Sequence, residues 1–337
     1  MKKIYIRCDG GSEKEFGTGH ISRMLTLSRL IKSNIKNIEI NFLLRKNNNF
    51  KIGFKLVKNS KFSIYKCRDK NLIPNSQKER MIFKTLSPDL LIIDRLHLSE
   101  ETSKFLVQSK LKFIIFDSKK NRYIKKNQIF NSFINSSSEK DKEFSSIIFN
   151  PKIKKKVKSK DNKNLFVCFG GIDKQKYSYK IIKNYKLFEF FKKVHIVTRQ
   201  KKVFLKIKNF IKKNKISSKF KIYNDPLNFY EILARCKFSI TAGGLTFFDS
   251  VVSGLDTIPI PQYKHQLKNI DYFRKTKLIP IRYSKKFKFK KNELSRLINF
   301  LTIKKNFKNQ RMYSKKYFND ISNKKLIKQI KFFLNKK

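Results

Sequence analysis

Nine of this chain's ten glycines fall in four short clusters, and Gly53 alone lies outside them. The clusters are Gly10–Gly11 with Gly17–Thr18–Gly19–His20, then Gly170–Gly171, then Gly243–Gly244, and finally Gly254. Three of them follow apolar runs, where a strand would end. Glycine at such a turn permits positive φ and lets backbone approach a ligand closely. In open α/β sheets, ligands bind outside the carboxyl ends of the strands. The glycines therefore point to a site built from strand-to-helix turns and suited to a phosphate-bearing ligand.

The rest of the chain has the alternation such a site needs. Strands are expected at Ile4–Cys8, Ile38–Leu44, Leu90–Asp94 and Lys112–Asp117, with helices at His20–Lys32 and Glu100–Ser109. The first helix has Ile21, Met24, Leu25, Leu27, Leu30 and Ile31 at near-helical spacing. The alternation restarts after a lysine-rich stretch at 151–163, read as a linker. Strands follow at Leu165–Phe169, Val194–Thr198, Phe220–Tyr223, Phe238–Thr241 and Thr257–Ile260, and helices at Lys174–Lys183, Phe229–Arg235 and Leu245–Ser253. Helical patterns run from about 290 to the end. The expected architecture is α/β, with a first domain over 1–150 and a second over 164–337, each a parallel sheet covered on both faces. A length of 337 residues accommodates two domains of ordinary size.

The formal charge of +57 suggests a non-enzymatic binder of polyanions. Composition argues otherwise. Only 14 of the 81 basic residues are Arg, Ala occurs twice and Trp is absent, while Lys, Asn, Ile and Phe abound. Those abundant residues share A/T-rich codons, so genome bias accounts for the profile. The lysines are also spread along the whole chain, where a nucleic-acid binder would cluster them. No specific nucleic-acid partner is expected, and peripheral contact of lysine faces with an anionic membrane is left open. Cys8, Cys67, Cys168 and Cys236 show no C-x-x-C spacing and suit reduced thiols. With no signal-like or membrane-spanning stretch, the expected location is the cytoplasm. No metal-ligand spacing and no P-loop occur, so neither a metal nor a cofactor is expected.

Four motifs carry chemistry. The first is Arg7-x-Asp9, a loop, then Gly17-Thr18-Gly19-His20-Ile21-Ser22-Arg23. It places His20 at a helix start, among N–H groups that bind anions and disfavour an imidazolium. A neutral imidazole there can act as a general base; the plainer alternative is an ordinary first-turn residue. GTGHISRMLTLSRLI, with Arg7 and Asp9 upstream, resembles the N-terminal motif of the UDP-sugar hydrolases of pseudaminic acid biosynthesis. Those enzymes remove UDP from UDP-2,4-diacetamido-2,4,6-trideoxy-altrose. They are relatives of the peptidoglycan glucosaminyltransferase and share its GT-B architecture of two Rossmann-like domains facing a cleft, with a last helix crossing back to the first domain. The resemblance implies that His20 activates water and that Arg7, Asp9, Gly17, Gly19 and Arg23 shape the same pocket. The loop between Asp9 and Gly17 is longer than the family's.

The second motif, Phe169-Gly170-Gly171-Ile172-Asp173, resembles the hydrolases' GG-x-D turn; Asp173 also suits a helix N-cap. In the third, Thr241-Ala242-Gly243-Gly244-Leu245-Thr246, a strand ends in two glycines and a helix begins. Its N–H groups and the Thr246 hydroxyl form a plausible diphosphate cradle. The resemblance implies that Asp249, where Glu is commoner, meets the ribose. The family's Gly-x-Pro is here Gly254-Leu255-Asp256. The fourth, Pro259-Ile260-Pro261-Gln262-Tyr263-Lys264-His265-Gln266, resembles the segment closing the sugar site, with His265 where Asn is common. It implies that His265 and Gln266 contact the sugar, against an alternative in which they cap a helix. Asp94, His97 and Asp117 lie at strand ends and are expected to cap or turn more than to react, and His195 reads as a core histidine. The expected activity is release of UDP from a UDP-sugar by water attack at the anomeric carbon. A glycosyltransferase on the same scaffold is the alternative.

Overall fold

The computed structural model describes residues 1–11, 18–65, 72–95, 97–116, 122–125, 128–130, 148, 162–226, 228–275, 277–283, 286–317 and 321–335. Gly17, Cys67, Asp117 and positions 151–161 of the expected linker lie outside the described residues, as does the side chain of His265. The chain divides into two compact units, Met1–Phe149 with Asp320–Lys337, and Asn150–Asn319.

The first unit runs β1 (Lys2–Cys8), α1 (Gly19–Asn34), β2 (Ile38–Leu43), α2 (Lys51–Asn59), β3 (Ser63–Ile64), α3 (Gln77–Leu86), β4 (Leu90–Asp94), α4 (Glu100–Gln108), β5 (Phe113–Phe116) and β6 (Ile129–Phe130). Its six strands are all parallel, in the order β3-β2-β1-β4-β5-β6. Every residue of β4 is buried, because helices cover both faces of a parallel sheet.

The second unit repeats the plan with β7 (Leu165–Cys168), α5 (Tyr177–Lys183), β8 (Val194–Thr198), α6 (Lys201–Lys213), β9 (Phe220–Asn224), α7 (Phe229–Ala234), β10 (Phe238–Thr241), α8 (Leu245–Val252), β11 (Asp256–Pro259), α9 (Lys264–Lys275), α10 (Lys291–Thr302) and α11 (Lys308–Tyr317). Its parallel sheet is ordered β11-β10-β7-β8-β9. In both units the chain leaves the middle strand in one direction and later returns to its other side. The strand order thus reverses between β1 and β4, and between β7 and β10. Such switch points open a crevice at the strands' carboxyl ends.

The last helix, α12 (Ile321–Asn335), belongs to the first unit. Leu326, Ile327, Ile330, Phe333 and Leu334 join the core that also holds Ile21, Met24, Leu27 and Ile31 of α1. Lys2 Nζ ties its end by donating to the Leu334 carbonyl at 2.8 Å and to Asn335 Oδ1 at 2.7 Å. Burying each such apolar side chain contributes roughly 1.5–3 kcal/mol.

Gly53, the glycine outside the clusters, also has a definite place. Its N–H donates to the Gly10 carbonyl at 3.0 Å, and a Cβ on Gly53 would sit 2.5 Å from that oxygen. A Cβ on Gly10 would sit 2.4 Å from Ile21 Cγ1. The two glycines therefore let the turn after β1 lie against α1 and α2.

The helix expected from Lys174 begins at Tyr177, because Lys176 takes a left-handed backbone conformation with φ 54°. His195 is a core residue of β8, with Nδ1 3.0 Å from the Tyr223 hydroxyl and its ring stacked on that tyrosine. Burial, reinforced by Arg235, Lys193 and Lys221, lowers its pKa from 6.5 to about 4. An unfolded chain takes up that proton near 6.5, whereas the folded strand resists it until about 4. The neutral ring's contribution to stability is thus fully present above about 6.5 and is lost as pH falls toward 4. His195→Gln should remove a loss of about 1–3 kcal/mol between pH 7 and 4.5, read by urea unfolding at both pH values.

Candidate active site

The switch point of the first unit brings His20 and Asp94 together. Cys8 at the end of β1 is in register with Asp94 at the end of β4, and α1 starts just beyond β1 with Thr18 as N-cap. His20, on the first turn of α1, places Nδ1 2.5 Å from Asp94 Oδ1. One turn along, Arg23 donates from Nε to Asp94 Oδ2 at 2.9 Å and from Nη2 to Oδ1 at 2.5 Å. Burial would push the Asp94 carboxyl up, but Arg23 and then His20 outweigh it and hold it below its usual range. An ionised carboxylate can only accept. The Nδ1 proton therefore points at Asp94, and Nε2 is the basic nitrogen of the ring. Arg23 Nη2 lies 3.2 Å from Nδ1, but both are donors, so the contact is a neighbour relation through their shared carboxylate. An imidazole held at Nδ1 by a buried carboxylate has the fixed orientation a general base needs.

His20 and Asp94 border a cavity of about 400 Å³ within this unit, shared with Arg7, Asp9, Arg45, Asn75, Arg95 and His97. Behind its wall runs a buried ion network. Arg7 is fully buried. Its Nε donates to Glu79 Oε1 at 2.5 Å, Nη1 to Asp9 Oδ1 at 2.7 Å, and Nη2 to the Leu72 carbonyl at 3.0 Å. Arg95 grips Glu79 with two bonds, 2.8 Å and 2.7 Å, and the Asn75 N–H donates to Glu79 Oε2 at 2.8 Å. Burial would raise the Glu79 carboxyl, yet Arg7 and Arg95 bring it down to about 2. Arg45 pairs with Asp9 at 3.2 Å and lies over the Phe50 ring. Arg7 and Asp9 thus hold the frame as well as lining the cavity.

In the second unit, the turns after β7 and β10 are neighbours, since Thr241 is in register with Cys168. Gly170 has φ +80°, a region that side chains avoid. Gly243 is packed so closely that a Cβ would sit 2.9 Å from Ile270 Cδ1. Gly244 is the N-cap of α8, which has no side-chain cap and no acidic residue in its first turn. The N–H groups of Leu245 and Thr246 open that turn, and the Thr246 side chain reaches the Cys168 thiol. An uncapped helix mouth beside two glycine turns suits an anion. Asp249, one turn further along α8, is half-buried. Burial pushes its carboxyl up to about 7 despite a bond from Tyr230.

The other expected residues are occupied locally. Asp173 accepts from the N–H groups of Tyr177 at 2.8 Å and Ser178 at 2.7 Å, as a cap for α5. Gln266 Oε1 accepts from the Gln262 N–H at 2.8 Å, and its Nε2 lies 3.7 Å from where a Cβ on Gly244 would be. It is therefore both a brace for α9 and a neighbour of the α8 mouth. Gly19 has open space where a Cβ would stand. Gly171 is half-buried beside Gly170. Asp94, expected mainly to cap or turn, is instead the centre of the His20 cluster. Glu79, Arg45 and Arg95 had no motif to announce them. The arginines' signal was scarcity: in a lysine-biased chain with 14 arginines, Arg7, Arg45 and Arg95 line one cavity and Arg23 bonds its Asp94. The planar, bidentate guanidinium is the reason lysine does not replace them there. Among the described residues, no group of three or more His, Cys, Asp or Glu is placed to hold a metal, and no helix is long and apolar enough to cross a membrane.

No family model matches the chain. An uncharacterized protein of Methanocaldococcus jannaschii is 28% identical over 295 residues, covering 81% of this chain. The chain spans 58% of that relative's length. Among solved structures, MurG of Acinetobacter baumannii superposes with a TM-score of 0.66 at 12% identity, covering 98% of this chain and 99% of that one. The fold is GT-B-like. A UDP-glucosyltransferase of Polygonum tinctorium agrees, with a TM-score of 0.62 at 10% identity, covering 100% of this chain and 99% of that one. At such identities the likeness establishes the GT-B fold alone, and the roles of individual residues rest on the geometry described above.

Proposed function

We propose that this protein is an enzyme acting on a UDP-sugar, and that it hydrolyses the sugar–diphosphate bond of a UDP-linked diacetamido-trideoxy sugar. The observation that carries the reading is the His20–Asp94–Arg23 cluster at the first unit's switch point. The α8 mouth at the equivalent point of the second unit supports it. MurG and the UDP-glucosyltransferase, which share the fold, fit an activity on sugar nucleotides.

In this reading the α8 mouth, with Gly243, Gly244, Leu245 and Thr246, holds the diphosphate, and Asp249 meets the ribose. His20 Nε2 takes a proton from water as the water oxygen bonds to the anomeric carbon. The carbon–oxygen bond to the diphosphate breaks, its electron pair leaves with UDP, and the centre inverts. Charge growing on the departing diphosphate is met by N–H dipoles already in place. Gln266 and His265 are assigned to the sugar, and Gly170 and Gly171 to the backbone surface near it. A glycosyltransferase would use the same base on an acceptor hydroxyl. Incubation with the UDP-sugar alone separates the two: UDP release without an acceptor supports hydrolysis, and release only after an acceptor is added supports transfer.

The ribose assignment has its own test. An ionised Asp249 accepts a ribose hydroxyl more strongly than a protonated one. UDP affinity should therefore rise about fivefold as pH passes upward through about 7. Calorimetric titrations at pH 6 and 8 on the wild type and Asp249→Asn separate this from titration of UDP itself. An equal pH response in both proteins would remove Asp249 from the ribose.

A further inference from the structure

The second unit has another concavity, of about 630 Å³, that the proposed nucleotide site does not use. Five of its ten lining residues are lysines (Lys174, Lys180, Lys264, Lys286 and Lys288), and none is Asp or Glu. Neither the Gly170–Gly171 turn nor any residue from Gly243 to Asp249 lines it. Codon bias explains many lysines. It does not by itself bring lysines from three separate stretches of chain together on one hollow.

The hollow has a fixed floor. Gln262 is buried, and its Nε2 donates to the carbonyls of Phe169 at 2.8 Å and Ile172 at 3.3 Å. Its Oε1 accepts from the Gln175 N–H at 3.4 Å. One side chain thus ties the turn after β7 to the turn after β11. Aromatic walls steady the lysines: Lys174 Nζ lies 5.8 Å from the Tyr263 ring centre and Lys180 Nζ 5.2 Å from that of Tyr177. Lys264 is the first residue of α9, so the positive end of a 12-residue helix adds to the same field. Two acids lie near the hollow without lining it: Asp173 faces inward and spends its oxygens on the α5 N–H groups, and Glu293 Oε2 accepts from the Lys288 N–H at 3.1 Å. A concave surface lined by one sign of charge concentrates counter-ions. Several ammonium groups around one hollow match several closely spaced negative charges better than a single one.

We propose that this concavity binds a compact oligophosphate, meaning two or more adjacent phosphate groups, through Lys174, Lys180, Lys264 and Lys288. The site is separate from the diphosphate cradle proposed at α8. The phosphates could be those of a soluble molecule or the head of an amphiphile; the chemistry recognised is the same. Tripolyphosphate titrated into the full chain at physiological salt should bind at one strong site. The double variant Lys180→Glu/Lys288→Glu should weaken it about tenfold or more. Lys202→Glu/Lys213→Glu, an equal charge change on exposed positions of α6, should change it less than about twofold. Phosphatidylcholine vesicles doped with hexadecyl diphosphate form the second arm. Loss of vesicle binding in the first variant alone assigns an amphiphile's head, and unchanged vesicle binding assigns a soluble ligand. Equal weakening of tripolyphosphate by both double variants, or by neither, overturns the proposal. UDP affinity, measured in the same proteins, should be unaffected, so failure here is distinct from failure of the UDP-sugar reading.

Discussion

His20→Ala should lower UDP-sugar turnover by about 10²–10⁴-fold, the usual contribution of a positioned base, while UDP binds as before. The two effects separate because His20 stands on the first turn of α1 and the diphosphate is assigned to α8. The side chain is 16% exposed, and its partner Asp94 stays neutralised by Arg23 in the variant. The fold is thus left intact, and the lost activity reads chemistry. Turnover is followed by UDP release and affinity by calorimetry. Parallel loss of both would mean that His20 supports the binding surface and is not the base.

The second large effect is on stability. Glu79→Ala should destabilise the first unit by about 3–5 kcal/mol, the usual result of removing one partner from a buried ion network. Arg7 and Arg95 would be left facing each other, and Asn75 would lose its acceptor. Hydrogen exchange of β1 and β4 amides reads this unit by itself. The same carboxylate sets an acid limit. Its folded pKa is about 2, against 4.5 for the unperturbed group. Its contribution is therefore fully present above about 4.5 and is lost as pH falls toward 2, a change of about 3 kcal/mol. Glu79→Gln, which keeps the shape, should flatten that acid limb. A loss below about 1 kcal/mol in Glu79→Ala would show that the network does not hold the cavity wall.

Much of this arrangement is legible in the sequence. The glycine clusters marked the ends of β1, β7 and β10 because a turn that approaches a ligand or a packed helix excludes a Cβ. The two alternating halves signalled two parallel sheets because each strand is apolar on both faces. Other features were hidden for physical reasons. Asp94 looks locally like any strand-ending acid, and its partner His20 is 74 residues away. Glu79 sits in Ser76-x-x-Glu79, a sequence suited to a helix capping box, and the Ser76 hydroxyl does accept from the Glu79 N–H. Its carboxylate, however, bonds Arg7, Arg95 and the Asn75 N–H instead. Helix α6 carries Val203, Phe204, Ile207, Phe210 and Ile211 at helical spacing, but intervening lysines obscured the stripe. Strands β3 and β6 are two residues each, too short to show a period. Asp173 was legible in both senses, and the geometry commits its carboxylate to the α5 cap.

The central claim is that His20 directs water to the anomeric carbon of a UDP-sugar. The most direct measurement is turnover of the UDP-linked diacetamido-trideoxy sugar in 18O-labelled water, with products followed by NMR and mass spectrometry. The account predicts the label in the sugar, an inverted anomer formed first, and unlabelled UDP. Label in the diphosphate, or a retained anomer as first product, would contradict it.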